Sequence, residues 1–111
     1  MLIDVTQECI DKGITADCRS CPVALAIHKS INDDNIIVEV DRGVIKIVEP
    51  KSKYYVEGRT LSIKLPLPAV LFIRHFDRGF IGYCSHVHPF TFTLDYTPYH
   101  MLDYIPYINE G

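Results

Sequence analysis

Apolar and polar residues alternate most regularly near the end of the chain, in the segment PFTFTLDY. On an extended strand Phe90, Phe92, Leu94 and Tyr96 fall on one face, and the threonines and the aspartate between them fall on the other. Further strand patterns occupy residues 2–5, 36–40, 44–48, 54–57 and 61–65. The sequence therefore predicts several short strands, each with one buried face.

The connections between these strands carry turn residues. The tripeptide DRG predicts a three-residue bulged hairpin with Gly43 in the left-handed conformation. We expect residues 54–57 to pair with residues 61–65 across Gly58. Such short connections favour antiparallel pairing.

Helical periodicity marks two main helices and one short helix. Pro22 fits the first turn of a helix whose apolar face carries Val23, Ile27 and Ile31 at a spacing of four. A second main helix is predicted from Pro68 to Gly79, with a core stripe of Ala69, Phe72, Ile73 and Phe76. The short helix is predicted to begin at its N-cap Thr6 and to stop at Gly13.

These elements predict an α+β fold, a mostly antiparallel sheet with two main helices packed on one face. Residues 1–96 are expected to form a single compact domain, and residues 97–111 an aromatic C-terminal arm. The arm either packs on its own domain or docks on a partner, or on a second copy to give a homodimer. Its candidate contact residues are Tyr99, Tyr104 and Tyr107.

Composition and charge narrow the class of protein. The 111 residues are 48% hydrophobic and 23% charged, which is typical of an ordered globular domain. No apolar run reaches the roughly 18 residues of a membrane span, and the acidic N-terminus is unlike a signal peptide, so we expect a cytoplasmic protein without membrane contact. The net charge of −3 and the lack of a basic cluster argue against nucleic acid as a partner. The net charge does not exclude a small anionic ligand held by Arg74 and Arg78, which lie one helical turn apart.

Cysteine and histidine residues suggest a zinc site. Cys18 and Cys21 form a C-x-x-C pair, and Cys84, His86 and His88 alternate so that an extended strand would point all three to one side. Four of these five residues would satisfy the tetrahedral geometry of zinc. However, the separation of the two groups greatly exceeds the roughly 12–20 residues usual in zinc fingers and ribbons.

The C-x-x-C pair has other interpretations. Cys21 stands at the N-cap position of the first main helix, and Cys18 is expected to pack in the preceding turn, since cysteine often behaves as a small hydrophobe. A redox pair is less favoured because no buried strand precedes the motif. Helix capping is thus the main hypothesis, and zinc is the alternative.

Four segments, VTQECIDKG, CRSCPVALA, FIRHFDRG and PFTFTLDY, occur in an order that resembles an uncharacterised family of small bacteriophage and prophage proteins. The resemblance covers the helices and the last strand, whereas the central hairpins, GYCSHVH and the tail lie outside it. It implies a small accessory protein of the bacterial host cytosol that acts stoichiometrically on a host factor or a signalling molecule.

We therefore expect a non-enzymatic binding protein that inhibits a host defence factor, with a host protein as its partner. The sequence shows no catalytic constellation and no Gly-rich phosphate loop. Two alternatives stay open: a zinc-binding protein with a Cys/His site, and a sponge for a small nucleotide-like signalling ligand.

Overall fold

Antiparallel strands and three helices make up the described part of the chain, which confirms the predicted α+β fold with two main helices. A computed structural model describes residues 1–50, 58–80 and 87–98, and for residues 78–80 it describes the backbone alone. In chain order the elements are β1 (Leu2–Val5), α1 (Gln7–Lys12), α2 (Pro22–Ile31), β2 (Ile37–Asp41), β3 (Val44–Glu49), β4 (Arg59–Lys64), α3 (Leu67–Phe80) and β5 (Phe90–Thr93).

The strands form two sheets instead of a single one. β1 pairs with β5, so that Ile3 lies beside Phe92 and the two ends of the described chain meet. β2, β3 and β4 form a three-stranded sheet in that order. The predicted pairing of residues 54–57 with β4 lies outside the described residues, among which β4 pairs with β3.

The β2–β3 hairpin corrects the predicted three-residue loop. Asp41 pairs directly with Val44, so the turn contains only Arg42 and Gly43. Both have positive φ, 51° and 81°, which is the pattern of a type I′ turn. The left-handed Gly43 is confirmed, but the bulge is wrong because Arg42 also takes a left-handed conformation, which non-glycine residues rarely adopt.

The caps of α1 confirm the sequence pattern. The Thr6 hydroxyl accepts a hydrogen bond from the Cys9 N–H at 3.3 Å, which caps the helix start. Gly13 is the C-cap, and a Cβ added there would lie 2.5 Å from Pro22 Cγ. Glycine at this position therefore lets α1 approach the start of α2.

The helix α2 is the centre of the core. Its N-cap is Cys21, and its C-cap Asn32 adopts the left-handed conformation, with its N–H bonded to the His28 carbonyl. The helix packs against β1, β2 and α1. Its buried residues are Pro22, Val23, Ala24, Ala26, Ile27 and Ile31, so the predicted apolar face is confirmed and extended.

The helix α3 is longer but less buried. It continues to Phe80, so the prediction that Gly79 ends it is wrong. Ala69 and Phe72 belong to the core, and the Phe72 ring lies 4.8 Å from that of Phe90. On its other side Leu67 and Leu71 are exposed, so this helix leaves apolar surface open among the described residues.

A buried polar group joins the three-stranded sheet to the segment after β5. The Glu49 carboxylate, 1% exposed, forms an ion pair with Arg59 and accepts a hydrogen bond from the Tyr96 hydroxyl. A terminal guanidinium nitrogen of Arg59 also donates to the Thr97 carbonyl at 2.7 Å. Burial, together with the Glu49 carboxylate, raises the pKa of Tyr96. These partners satisfy a charge that would otherwise be costly inside the core.

The division into a domain of residues 1–96 and an arm of residues 97–111 stays a prediction. Of the arm, the structure describes Thr97 and Pro98, and Pro98 is fully buried. Within the described ranges, no helix combines the length and the apolar character needed to cross a bilayer.

Candidate functional site

Two neighbouring clefts lie beside the β2–β3 turn and share part of their lining. The first cleft, about 790 Å³, lies between the loop before α2, the turn and α3. The second, about 730 Å³, lies between the turn, β4 and the start of α3. Arg42, Gly43, Leu65 and Val70 line both clefts. We call the combined surface the groove.

The floor of the groove is apolar. Val40 and Leu65 are buried beneath it, and Val70 and Ile73 of α3 are half-buried in its wall. This composition, apolar at the centre with polar groups around it, is typical of a surface that binds another molecule.

Charged side chains of both signs surround this floor in the first cleft. Two aspartates are engaged in shaping the loop: the Asp17 carboxylate accepts hydrogen bonds from the N–H groups of Arg19 and Ser20 at 2.9 and 3.0 Å. The Asp77 carboxylate accepts from the Ala16 N–H at 3.2 Å and so ties α3 to the same loop. Three other charged residues of the cleft make no side-chain hydrogen bond or ion pair within the described part of the chain: Asp41, Arg42 and Arg74.

The two cysteines of the C-x-x-C pair also line the first cleft, with different environments. The Cys21 sulfur accepts a hydrogen bond from the Ala24 N–H at 3.4 Å, which confirms the predicted N-cap. Burial raises the pKa of the Cys21 thiol, although the N–H groups of the helix start partly oppose this. Cys21 therefore resembles a structural cysteine and not an activated nucleophile.

Cys18 corrects the expectation that its side chain packs in the preceding turn. Its side chain is exposed, and the residue contributes to the fold through its backbone carbonyl, which accepts a hydrogen bond from the Val40 N–H at 2.7 Å. This bond holds the loop before α2 against the edge of β2.

The zinc hypothesis stays a prediction. Cys84 and His86 lie outside the described residues, and His88 is exposed just before β5. Within residues 1–50, 58–80 and 87–98, no three potential ligands come together in a way that could hold a metal ion.

The predicted ligand and partner contacts are only partly described. Arg74 lines the first cleft. Arg78 lies one turn further along α3, and its side chain is outside the described set. Tyr99, Tyr104 and Tyr107 also fall outside the described residues.

Several groove residues escaped the sequence analysis. Arg42 was assigned only to a hairpin loop, and Leu67 and Val70 were not singled out from the second main helix. For Leu67 the sequence did contain a local signal: it is an apolar residue just before the predicted helix start, and it does not belong to the predicted core stripe, so an exposed position could be expected. The approach of the turn to α3 is a long-range contact without a local signal.

The lining residues define what the groove can do. Among the described residues that line the two clefts there is no histidine, and the one cysteine with an exposed side chain is Cys18; these residues offer apolar contact and charge. Comparisons with protein-family models, curated proteins and solved structures find no match.

Proposed function

We propose that the protein is a non-enzymatic binding protein that acts by forming a stoichiometric complex with a partner protein through the groove. The observation that carries this proposal is that two clefts with apolar lining residues adjoin along the apolar residues Leu65 and Val70. Val44 and Leu67, which are 44% and 66% exposed, extend the apolar surface at its rim. Large exposed apolar side chains beside a groove are costly in water and favour a partner that covers them.

The resemblance to small bacteriophage and prophage proteins suggests the kind of partner. In this proposal the chain acts in the cytoplasm of a bacterial host and binds a host protein, with a defence factor as the target. Inhibition then results from occupying the target's surface, and the groove does not turn over a substrate.

Site-specific photo-crosslinking tests whether the groove contacts a partner. A photoreactive phenylalanine analogue replaces Leu67 in the groove or, as a matched control, Leu2 on β1. The two leucines are almost equally exposed, at 66% and 65%, but Leu2 lines neither cleft. We expect a discrete crosslinked product of one chain and one host protein from position 67, and none from position 2.

The control separates specific contact from surface stickiness. Equal products from both positions would contradict the proposal, since the groove would then have no preference. No product from position 67, with the chain folded and present in the host, would contradict it as well.

A small anionic ligand in the first cleft is a second candidate. Arg42 and Arg74 line this cleft and make no ion pair within the described part of the chain. Charge-assisted contacts to a phosphate or carboxylate would use both guanidinium groups. Titration with AMP, followed through the Gly43 amide resonance, should give a saturable shift that Arg74→Gln weakens and Lys46→Gln leaves unchanged.

A further inference from the structure

The hydrogen-bonding register of β4 shows which of its backbone groups face away from the sheet. Leu65 N–H donates to the Gly43 carbonyl at 2.8 Å, just beyond the Val44–Lys64 pair. Hydrogen-bonded and non-hydrogen-bonded pairs alternate along an antiparallel ladder. Leu61 and Ile63 are therefore hydrogen-bonded to β3, and the groups that point to the open edge belong to a set of three residues: Thr60, Ser62 and Lys64.

This open edge has no strand partner among the described residues, because β4 is the last strand of its sheet. It offers three N–H and three C=O groups in a row, which is the template that an added strand uses. A segment that pairs here would satisfy these groups without disturbing the β3–β4 ladder.

The side chains of β4 favour an added strand with alternating character. Leu61 and Ile63 lie on the core side but are only half-buried, as expected at an unfinished edge. Ser62, Ile63 and Lys64 also line the second cleft of the groove. Apolar side chains at alternate positions of an added strand would cover Leu61 and Ile63, and the last of them would enter this cleft.

Charge distinguishes a foreign strand from a second copy. β4 carries Arg59 and Lys64 and no acidic residue, and Lys46 lies opposite Ser62 on the solvent side. Arg59 is engaged by Glu49, which leaves the two lysines on the outer face. Antiparallel pairing of β4 with itself would place Lys64 of each copy opposite Thr60 of the other and would offer no acidic partner to either lysine, whereas an acidic segment would neutralise them.

We propose that β4 accepts an extended, acidic and alternately apolar segment of the partner protein as the fourth strand of the sheet. This inference rests on the proposed function and specifies how the groove holds its partner. Backbone pairing supplies affinity, and the outer lysines with the second cleft supply selectivity.

Residue-resolved amide hydrogen exchange of the full chain tests the inference. The probe is the peptide acetyl-EVEVEV-amide, and the control is its lysine counterpart acetyl-KVKVKV-amide. At about ten times its dissociation constant, the acidic peptide should slow exchange of Thr60, Ser62 and Lys64 about tenfold. The amides of Leu61 and Ile63 should exchange slowly with or without peptide, because they already bond to β3.

The variant Ser62→Pro removes one outward N–H and leaves the ladder to β3 intact, since an edge strand tolerates proline at such a position. It should abolish the protection of Thr60 and Lys64. If this variant does not fold, the comparison of the two peptides on the wild-type chain still decides the question.

Four results would overturn strand addition at β4. The first two are outward amides that as a set stay unprotected by the acidic peptide, and outward amides that gain equal protection from the basic peptide. The other two are outward amides that are already protected in the free monomer, which assigns the edge to a segment of the same chain outside the described residues, and outward amides that are protected only in a dimer. The crosslinking experiment at position 67 tests the stoichiometric complex independently, so the proposed function can hold even if strand addition at β4 fails.

Discussion

The two main helices differ in how completely they are used by the fold. α2 has ten residues, and six of them are buried between the strands and α1. α3 has fourteen residues, but of its described side chains only Ala69 and Phe72 are buried, and Leu67 and Leu71 are exposed. Since burial of apolar surface provides most of the folding free energy, α2 stabilises the domain, and α3 presents surface beside the groove.

A similar difference separates the two edge strands of the three-stranded sheet, β2 and β4. The β2 edge is held by the loop before α2 through the hydrogen bond from Val40 N–H to the Cys18 carbonyl. The β4 edge, beside the second cleft, has no strand partner among the described residues. Within the described residues, the β2 edge is therefore contacted by its own chain, and the β4 edge is open to a partner.

Truncating one apolar side chain in each helix gives the largest expected contrast. Ile27→Ala in α2 should lower the free energy of unfolding by about 2–5 kcal/mol, because it opens a cavity at a fully buried site. Leu71→Ala in α3, at a side chain 43% exposed, should cost under about 1 kcal/mol. Urea unfolding of both variants measures the difference, and equal losses would show that α3 is as important to the core as α2.

The buried Glu49 group predicts a smaller loss and a distinct pH dependence. Tyr96→Phe removes the hydroxyl that donates to Glu49 and should cost about 1–3 kcal/mol at neutral pH. Because the folded state raises the pKa of Tyr96, the associated stabilisation is complete below the ordinary tyrosine value of about 10 and is lost as pH rises above it.

Unfolding measured from pH 7 to pH 11 checks this sign. The wild-type chain should lose stability in the alkaline range more steeply than Tyr96→Phe, which lacks the titrating group. Identical alkaline slopes in the two proteins would contradict a raised Tyr96 pKa.

The two cysteines before α2 offer a matched pair of substitutions. Cys21→Ala removes the N-cap acceptor and should cost about 0.5–2 kcal/mol. Cys18→Ala changes an exposed side chain and should stay within about 0.5 kcal/mol of wild type. Thermal unfolding with and without a chelator measures both; a sharp loss for Cys18→Ala together with chelator sensitivity would instead favour the structural zinc site.

The smallest expected effect is a gain of stability at the β2–β3 turn. Arg42→Asn creates an Asn-Gly pair at the two left-handed positions, for which this dipeptide is preferred. Because asparagine tolerates the left-handed conformation better than arginine, the substitution should raise the free energy of unfolding by about 0.5–1 kcal/mol. Urea unfolding measures this gain, and a loss of stability would show that the Arg42 side chain stabilises the fold by more than its backbone conformation costs.

Local patterns in the sequence were sufficient for much of the fold. The spacing of Val23, Ile27 and Ile31 predicted the buried face of α2, and the caps at Thr6 and Cys21 were recognisable from residue type. Alternation predicted the buried side of β5 and the residues that follow it.

Long-range contacts set the limit of such prediction. Glu49 continues the core-facing positions of Ile45 and Ile47, but its partner Tyr96 is 47 residues away, so no local pattern pairs them. The groove likewise arises where the Arg42 turn meets Val70 of α3. The division into two sheets depends on the β1–β5 pairing across almost the whole chain.

Native mass spectrometry of the untagged full chain, isolated from a bacterial host, tests most directly whether the groove side binds a partner. The wild type and Leu2→Asp should each show one chain with one partner protein, and Leu67→Asp should show the chain alone. The matched exposure of the two leucines makes the comparison one of position and not of added charge. A partner retained by Leu67→Asp, or a wild-type chain that carries one zinc ion and no partner, would contradict the proposed function.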